Sequence, residues 1–197
     1  MVDNNLFLNI IDFIGYIDQL KNVTRKNSLH DRSREENTAE HSWHAAISGL
    51  LLAPYADQPV DVNKVVKMLL IHDLVEIEAG DTFVYDKQEV AKQVNTESDA
   101  AELVFSRLPD EQGKILKNLW DEFETRETPE AKFAKAIDRF LPLYSNIANR
   151  GYSWEPYKVS QSQVWEIASI IKDGSSCLWE LVEDMLNEAV QEGYLNP

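Results

Sequence analysis

Apolar residues recur along this chain at helical rather than strand spacing. Leu6, Ile10, Phe13, Ile14, Ile17 and Leu20 fall on one face of an amphipathic helix. A polar, basic-rich stretch over about 21–36 follows and reads as a loop. Asn37 predicts an N-cap, with Glu40 three residues on as its capping-box partner. The helix it opens carries His41, His44, Ile47, Leu51 and Leu52 and should end before Pro54. Val62, Val65, Val66, Leu69, Leu70, Leu74 and Val75 predict the next helix, stopped by Gly80. A charged helix is expected over 87–107 and another over 110–124. Thr128 and Pro129 supply an N-cap and first-turn proline for a helix through Asp138, which Pro142 should kink or end. The aromatic-rich stretch 150–159 reads as a loop, and helices over 161–172 and 176–192 complete the chain. Without strand alternation, repeat or linker, the pattern predicts an all-α fold: a single helical bundle over 1–197 with no significant sheet.

Length and composition narrow the class. A chain of 197 residues suffices for one sizeable core. Its 34 acidic against 19 basic side chains give a formal charge of −15, a field that repels nucleic-acid backbones and anionic membranes. That argues against a polynucleotide partner. A small phosphorylated substrate stays compatible, because a bound cation and local basic residues can invert the potential inside one pocket. The single cysteine, Cys177, cannot form an intrachain disulfide and reads as a small core residue. The N-terminal apolar stretch is broken by Asp12 and Asp18, and no segment approaches the ~20 apolar residues of a membrane span. The expected location is the cytoplasm.

The most informative stretch is VVKMLLIHDLVEIEAGD, residues 65–81. His72 and Asp73 sit inside an otherwise apolar helix, with Glu76 one turn later and Asp81 just past Gly80. Burying unpaired carboxylates costs several kcal/mol, so this cluster asks for a cation. The alternative, a solvent-facing polar stripe, stands about equal, although the stripe has no lysine or arginine to pair with. His41, at the start of its helix in ENTAEHSWH, is a candidate ligand, and His44 a weaker one. Trp43 reads as core. Asp138, in EAKFAKAIDRFLPL, suits either metal ligation or an ion pair with Lys135. The carboxylates of WDEFETRETPE and His30 read as surface or caps. There is no Gly-rich phosphate loop, nucleophile elbow or paired-cysteine signature, so any catalysis must be metal-assisted.

His41, then the His72-Asp73 doublet, then a distant Asp138 resembles the HD superfamily of metal-dependent phosphohydrolases. The words ENTAEHSWH and LWDEFETRETPEAKFAKAIDR, with Glu76 and Asp81 at their spacing, are similar to the small branch that includes the 5′-deoxynucleotidases. The resemblance runs from about residue 20 to 138 or 143. It implies one divalent ion on His41, His72, Asp73 and Asp138. It also implies that Glu76 and Asp81 share the tasks of handling the attacking water and protonating the leaving alkoxide. Arg25 matches the branch's substrate-contacting arginine, whereas Lys26 stands where an aromatic would follow. Family members of this branch are typically homodimers. The donor types suit Mn, Co, Fe, Ni or Zn.

The expected activity is hydrolysis of a small phosphomonoester, such as a 2′-deoxynucleoside 5′-monophosphate. The alternatives are phosphodiester or nucleoside-triphosphate hydrolysis on a related fold, or a metal- and nucleotide-binding protein without turnover.

Overall fold

Side-chain caps set most helix starts where the sequence placed them. The computed structural model describes residues 4–197, with side chains described outside 87–95. Helix α1 (Asn4–Ile17) runs into a short 3-10 turn, and α2 (Thr38–Leu52) opens on Asn37. The Asn37 side chain accepts from the Glu40 amide at 3.0 Å, and Glu40 accepts in return from the Asn37 amide. Asp61 caps α3 (Val62–Ile71), Thr128 caps α7 (Pro129–Ala148), Ser160 caps α8 (Gln161–Ala168) and Ser175 caps α9 (Ser176–Gln191). Each satisfies an amide that the first turn leaves without a helical partner. Between them lie α4 (Glu76–Ala79), α5 (Lys87–Phe105) and α6 (Asp110–Thr125). Among the described residues no helix is long and apolar enough to cross a membrane.

The structure departs from the pattern in several places. The stretch expected as loop contains an antiparallel hairpin, β1 (Thr24–Ser28) with β2 (Glu35–Asn37), paired at Thr24–Asn37 and Ser28–Glu35 around an irregularity. Its residues carry no apolar alternation, so no strand signal was visible. The helix expected to run on to Gly80 is interrupted after Ile71, for a reason taken up below. Pro142 does not end α7, which continues to Ala148. Proline removes one ladder bond, but the Asn27 and Asn146 side-chain amides both donate to the Pro142 carbonyl at 3.0 Å and hold the turn. Helix α8 stops at Ala168 and passes into a 3-10 turn over Ser169–Asp173. Cys177 is exposed rather than core. Trp43, also expected inside, is 63% exposed on the outer face of α2.

Helix α7 is the central element, packed against α2, α3, α6, α9 and the Ser169–Asp173 turn. Phe133, Ala134 and Ile137 on it meet Met68, Leu69, Ile171 and Leu186 in one apolar cluster. A second cluster joins Phe13, Ile71, Val75, Val104, Phe105 and Trp120. The chain passes from the first cluster to the second across residues 69–71, and His72 and Asp73 follow at that seam. The turn before α9 lies so close to α7 that a Cβ on Gly174 would sit 2.5 Å from the Lys132 carbonyl oxygen and 2.8 Å from the Phe133 Cα. Backbone cannot yield as a side-chain tip does. Gly174→Ala should therefore destabilise the fold by about 1–3 kcal/mol, measured as a lower midpoint in urea at unchanged slope.

Candidate metal centre and its cavity

The break after Ile71 shapes the site. In a continuous helix the His72 carbonyl would accept from the Glu76 amide. Here the Trp120 indole N–H donates to it at 3.0 Å, and the Glu76 amide turns to the Asp73 carbonyl instead. The chain tightens into i to i−3 turns over 73–77. Gly80 follows with φ of 77°, a left-handed value that suits glycine, and returns Asp81 to the same region.

Four donors converge there. His41 Nε2 is 3.1 Å from Asp138 Oδ1 and 3.9 Å from Asp73 Oδ2. His72 Nε2 is 3.1 Å from Asp73 Oδ1 and 3.4 Å from Asp138 Oδ1. Ligand atoms of His41, His72 and Asp73 all lie within 4.8 Å of one another. Both histidines are buried and aimed from behind. His72 Nδ1 lies 2.9 Å from the Leu69 carbonyl, which can only accept, so Nδ1 carries a proton. His72 Nε2 is buried with no hydrogen-bond partner among the described residues, because neither nearby carboxylate lies along its bond direction. His41 Nδ1 faces Glu36 Oε2 at 3.6 Å, too far for a direct hydrogen bond, and has no partner among the described residues. A backing group on Nδ1 that leaves Nε2 facing acidic oxygens, as at His72, is how proteins orient imidazole ligands. The donor set thus fits a divalent cation.

The charges explain one another. Burial alone would depress the Arg25 guanidinium, but Asp73, Glu76, Asp81 and Asp138 outweigh it and raise its affinity for the proton. Its Nη1 donates to Asp73 Oδ2 at 2.9 Å and lies 3.5 Å from Asp81 and 3.8 Å from Glu76. Glu76 is pushed well above the ordinary carboxylate range by burial and by Asp73, although the Thr38 hydroxyl donates to it at 2.9 Å. Asp81 is raised too, by burial against the opposing pull of Arg25. Asp138 moves the other way: burial opposes its charge, but Lys135 at 3.3 Å and the two histidines hold it well below the usual value. The ion pair with Lys135 and the approach to the histidines coexist, one on each carboxylate oxygen.

These groups line a cavity of about 320 Å³. Arg25, Arg126, Lys135 and Arg139 share its wall with Asp73, Glu76, Asp81, Glu97, Glu124 and Asp138. Of the residues picked out from sequence, His41, His72, Asp73, Asp138, Glu76, Asp81 and Arg25 come together here, while His44 is not among the converging donors. Several were missed. Glu124, taken for surface, borders the cavity, and Glu97, pushed up to about 7 by burial and by Glu124, faces it. Arg139 flanks Asp138 on α7 beside Lys135, the ion-pair partner the sequence suggested, a placement that chain adjacency could have shown. Glu36 carried no signal, because a glutamate in a polar loop reads as surface.

His72 makes a further expectation. Burial lowers its proton affinity, but Asp73 and Asp138 raise it to about 10, so the metal-free imidazole is doubly protonated at neutral pH. Metal must displace that proton. Loading at pH 7.5 should release at least one proton, seen as a dependence of calorimetric enthalpy on buffer ionisation enthalpy. No release would mean His72 is already neutral.

Known proteins resemble this chain in sequence and fold. The HD domain model matches residues 17–179, beyond the stretch the motifs marked and into α9. The chain is 32% identical over 133 residues to the Danio rerio 5′-deoxynucleotidase HDDC2, covering 66% of this chain and 64% of that one. The match to the human protein of that name covers 63% of its length. The chain therefore spans just under two thirds of these relatives. A crystal structure from Magnetospirillum magnetotacticum, described as a predicted metal-dependent phosphohydrolase, superposes with TM-score 0.91 at 42% identity, over 97% of this chain and 98% of that one. An HD-domain phosphohydrolase from Listeria innocua shares the fold at TM-score 0.64 and 19% identity, over 93% and 92% of the two chains. On the extent of that domain match, with the two histidines and two aspartates brought to one point, the chain belongs to the HD-domain family.

Proposed function

We propose that this protein is a divalent-metal-dependent phosphohydrolase that releases phosphate from small nucleotides such as 2′-deoxynucleoside 5′-monophosphates. The observation that carries it is His72 Nε2, buried without a hydrogen-bond partner between two carboxylates, with Glu76 and Asp81 alongside. The names of the deoxynucleotidase relatives and of the Magnetospirillum structure support the same reading.

In this proposal His41, His72, Asp73 and Asp138 hold one divalent ion, and Mn, Co, Fe, Ni and Zn are the candidates. The ion supplies charge stabilisation of the phosphoryl oxygens and a more acidic water. Glu76 borders the metal cavity only; a bound ion's charge would drive off the proton it holds in the metal-free state, and its carboxylate would then take the water's proton. Asp81 also borders a second compartment and stands on the leaving-group side, where it hands a proton to the departing alkoxide. Arg25 fixes Asp73 and Asp81 and offers its remaining N–H groups to the phosphate. The test is phosphate release from ribo- and deoxyribonucleoside monophosphates after chelation and reloading with each metal. Metal-dependent release supports the reading. Silence with bound metal overturns it, and pyrophosphate or triphosphate released when nucleoside triphosphates are supplied instead would point to the nucleoside-triphosphate alternative.

The partner proposed is a second copy of the chain. Trp43, Ile47, Leu50 and Leu51 form an exposed apolar stripe on α2, at the spacing of one helix face. Light scattering should give a dimer mass, reduced to monomer in Ile47→Glu/Leu51→Glu; a monomeric wild type removes the proposal. The proposed location is the cytoplasm, on the single cysteine, checked by fractionation.

A further inference from the structure

Lys135 is a buried cation that the proposed reaction leaves without a task. It stands on α7 three residues before Asp138, so the two share a face of the helix. Only 8% of the residue is exposed. A lysine is rarely held so far from water, because the loss of hydration is costly unless partners compensate. Its partners here are few. Nζ lies 3.3 Å from Asp138 Oδ2 and 3.6 Å from Glu124 Oε1, and it sits 4.4 Å from the centroid of the Phe123 ring. That ring in turn leans on the His72 imidazole, with centroids 5.0 Å apart. Helix α6 thus supplies a carboxylate and an aromatic face that together fix where the ammonium goes.

The consequence falls on Asp138. An aspartate carboxylate turns about its last torsion with only a broad, two-fold preference, so nothing local decides which oxygen faces the histidines. Here the two oxygens are divided. Oδ2 lies against Lys135 and is approached by Arg139 Nε at 3.8 Å. Oδ1 is left to His41 Nε2 at 3.1 Å and His72 Nε2 at 3.4 Å. Asp73 is divided in the same way, with Arg25 donating to Oδ2 and His72 Nε2 beside Oδ1. Burial by itself does not call for a lysine at 135. A methionine would cover Phe123 equally well, and replacing buried charge by apolar bulk is often neutral for stability.

We propose that Lys135 is a positioning residue of the metal centre: held by Glu124 and Phe123, it engages Asp138 Oδ2 and so turns Oδ1 towards the two histidines. This rests on the metal-dependent reading above. Charge and positioning predict opposite signs. An ammonium beside a divalent ion repels it, so removal of the charge alone should tighten metal binding. Loss of positioning should weaken it by about 10-fold or more, the usual worth of a group that orients a metal ligand.

The test is calorimetric titration of the chelated protein with Co²⁺ at pH 7.5, together with the visible absorption of the bound ion, which reports its donor set. Lys135→Met keeps bulk against Phe123 and should raise the Kd for Co²⁺ about 10-fold, with an altered spectrum. Lys135→Arg keeps a cation within reach of Oδ2 and should retain the wild-type spectrum and a Kd within about 3-fold of wild type. Thermal midpoints of the metal-free proteins show that each variant folds. Equal or tighter Co²⁺ binding in Lys135→Met overturns the proposal, and so does an equal weakening in Lys135→Arg. Should the methionine variant fail to fold, Lys135→Gln, whose amide stops short of Oδ2, takes its place with the same outcomes. A wild type that takes up no Co²⁺ would refute the metal reading and this proposal with it. That result is distinct from tight wild-type binding that Lys135→Met leaves unchanged, which removes the role of Lys135 alone.

Discussion

Asp73→Ala is expected to abolish metal-dependent phosphate release, by about 10³-fold or more, and to strip the protein of tightly held metal. The charge stabilisation a divalent ion supplies is worth several kcal/mol, and each ~1.4 kcal/mol is tenfold in rate. Asp73 is doubly placed: Oδ1 lies 3.1 Å from His72 Nε2 and Oδ2 accepts from Arg25 at 2.9 Å. Removing it deletes a proposed metal donor and the nearest partner of a buried guanidinium. Breaking a buried pair from one side costs about 3–5 kcal/mol, but Arg25 keeps Asp81 at 3.5 Å and Glu76 at 3.8 Å, so the loss should be smaller. Adding Arg25→Met should restore stability without restoring metal. Metal content after gel filtration, phosphate release and thermal midpoint separate the two effects. An Asp73→Ala protein that kept stoichiometric metal and activity would remove Asp73 from the centre.

The helical fold was legible because its signals are local. Asn37 with Glu40, Thr128 with Pro129, and Gly80 are read within one turn of chain, and each appears where expected. The failures are tertiary. No residue near His72 announces that Trp120, 48 positions away, will take its carbonyl and break the helix. The β1–β2 hairpin is built from polar residues, and its place against the site comes from contacts such as Asn27 with Pro142. Trp43, read as core, lies outside for a different reason, as does Leu51. Apolar periodicity marks a face that wants burial, but not whether core or another subunit covers it, and here both side chains point outward.

The site divides the same way. The residues that could be picked out were polar groups intruding on apolar helices: His72 and Asp73 in one, Asp138 in another. A buried charge among apolar neighbours needs a compensating partner. Glu36 and Glu124 gave no such contrast, since each stands in an acidic, polar run that reads as surface. Their roles follow from which elements fold over them, Glu36 by the hairpin beside His41 and Glu124 by α6 beside Lys135.

Glu76→Gln should leave metal binding intact while lowering kcat by about 10²–10⁴-fold, the usual worth of a positioned general acid or base. The amide keeps the size of the side chain and can still accept from the Thr38 hydroxyl, which is 2.9 Å from Glu76 Oε2. It cannot take a proton from water. The same change should raise the stability of the chelated protein at neutral pH. Burial and Asp73 push the Glu76 carboxyl well above the ordinary range, so the folded state holds a proton that the unfolded chain has released. Stability from this group is full below about pH 4.5, the unfolded value, and falls as pH rises through the folded one. Glutamine removes that loss, so urea midpoints of the two chelated proteins should converge at acid pH and separate towards neutral, the variant being the more stable. A gain of stability with a loss of turnover is what a carboxylate kept for chemistry predicts. Equal midpoints at every pH would show that Arg25, 3.8 Å away, already offsets the buried charge in full. Unchanged kcat would take Glu76 out of the mechanism.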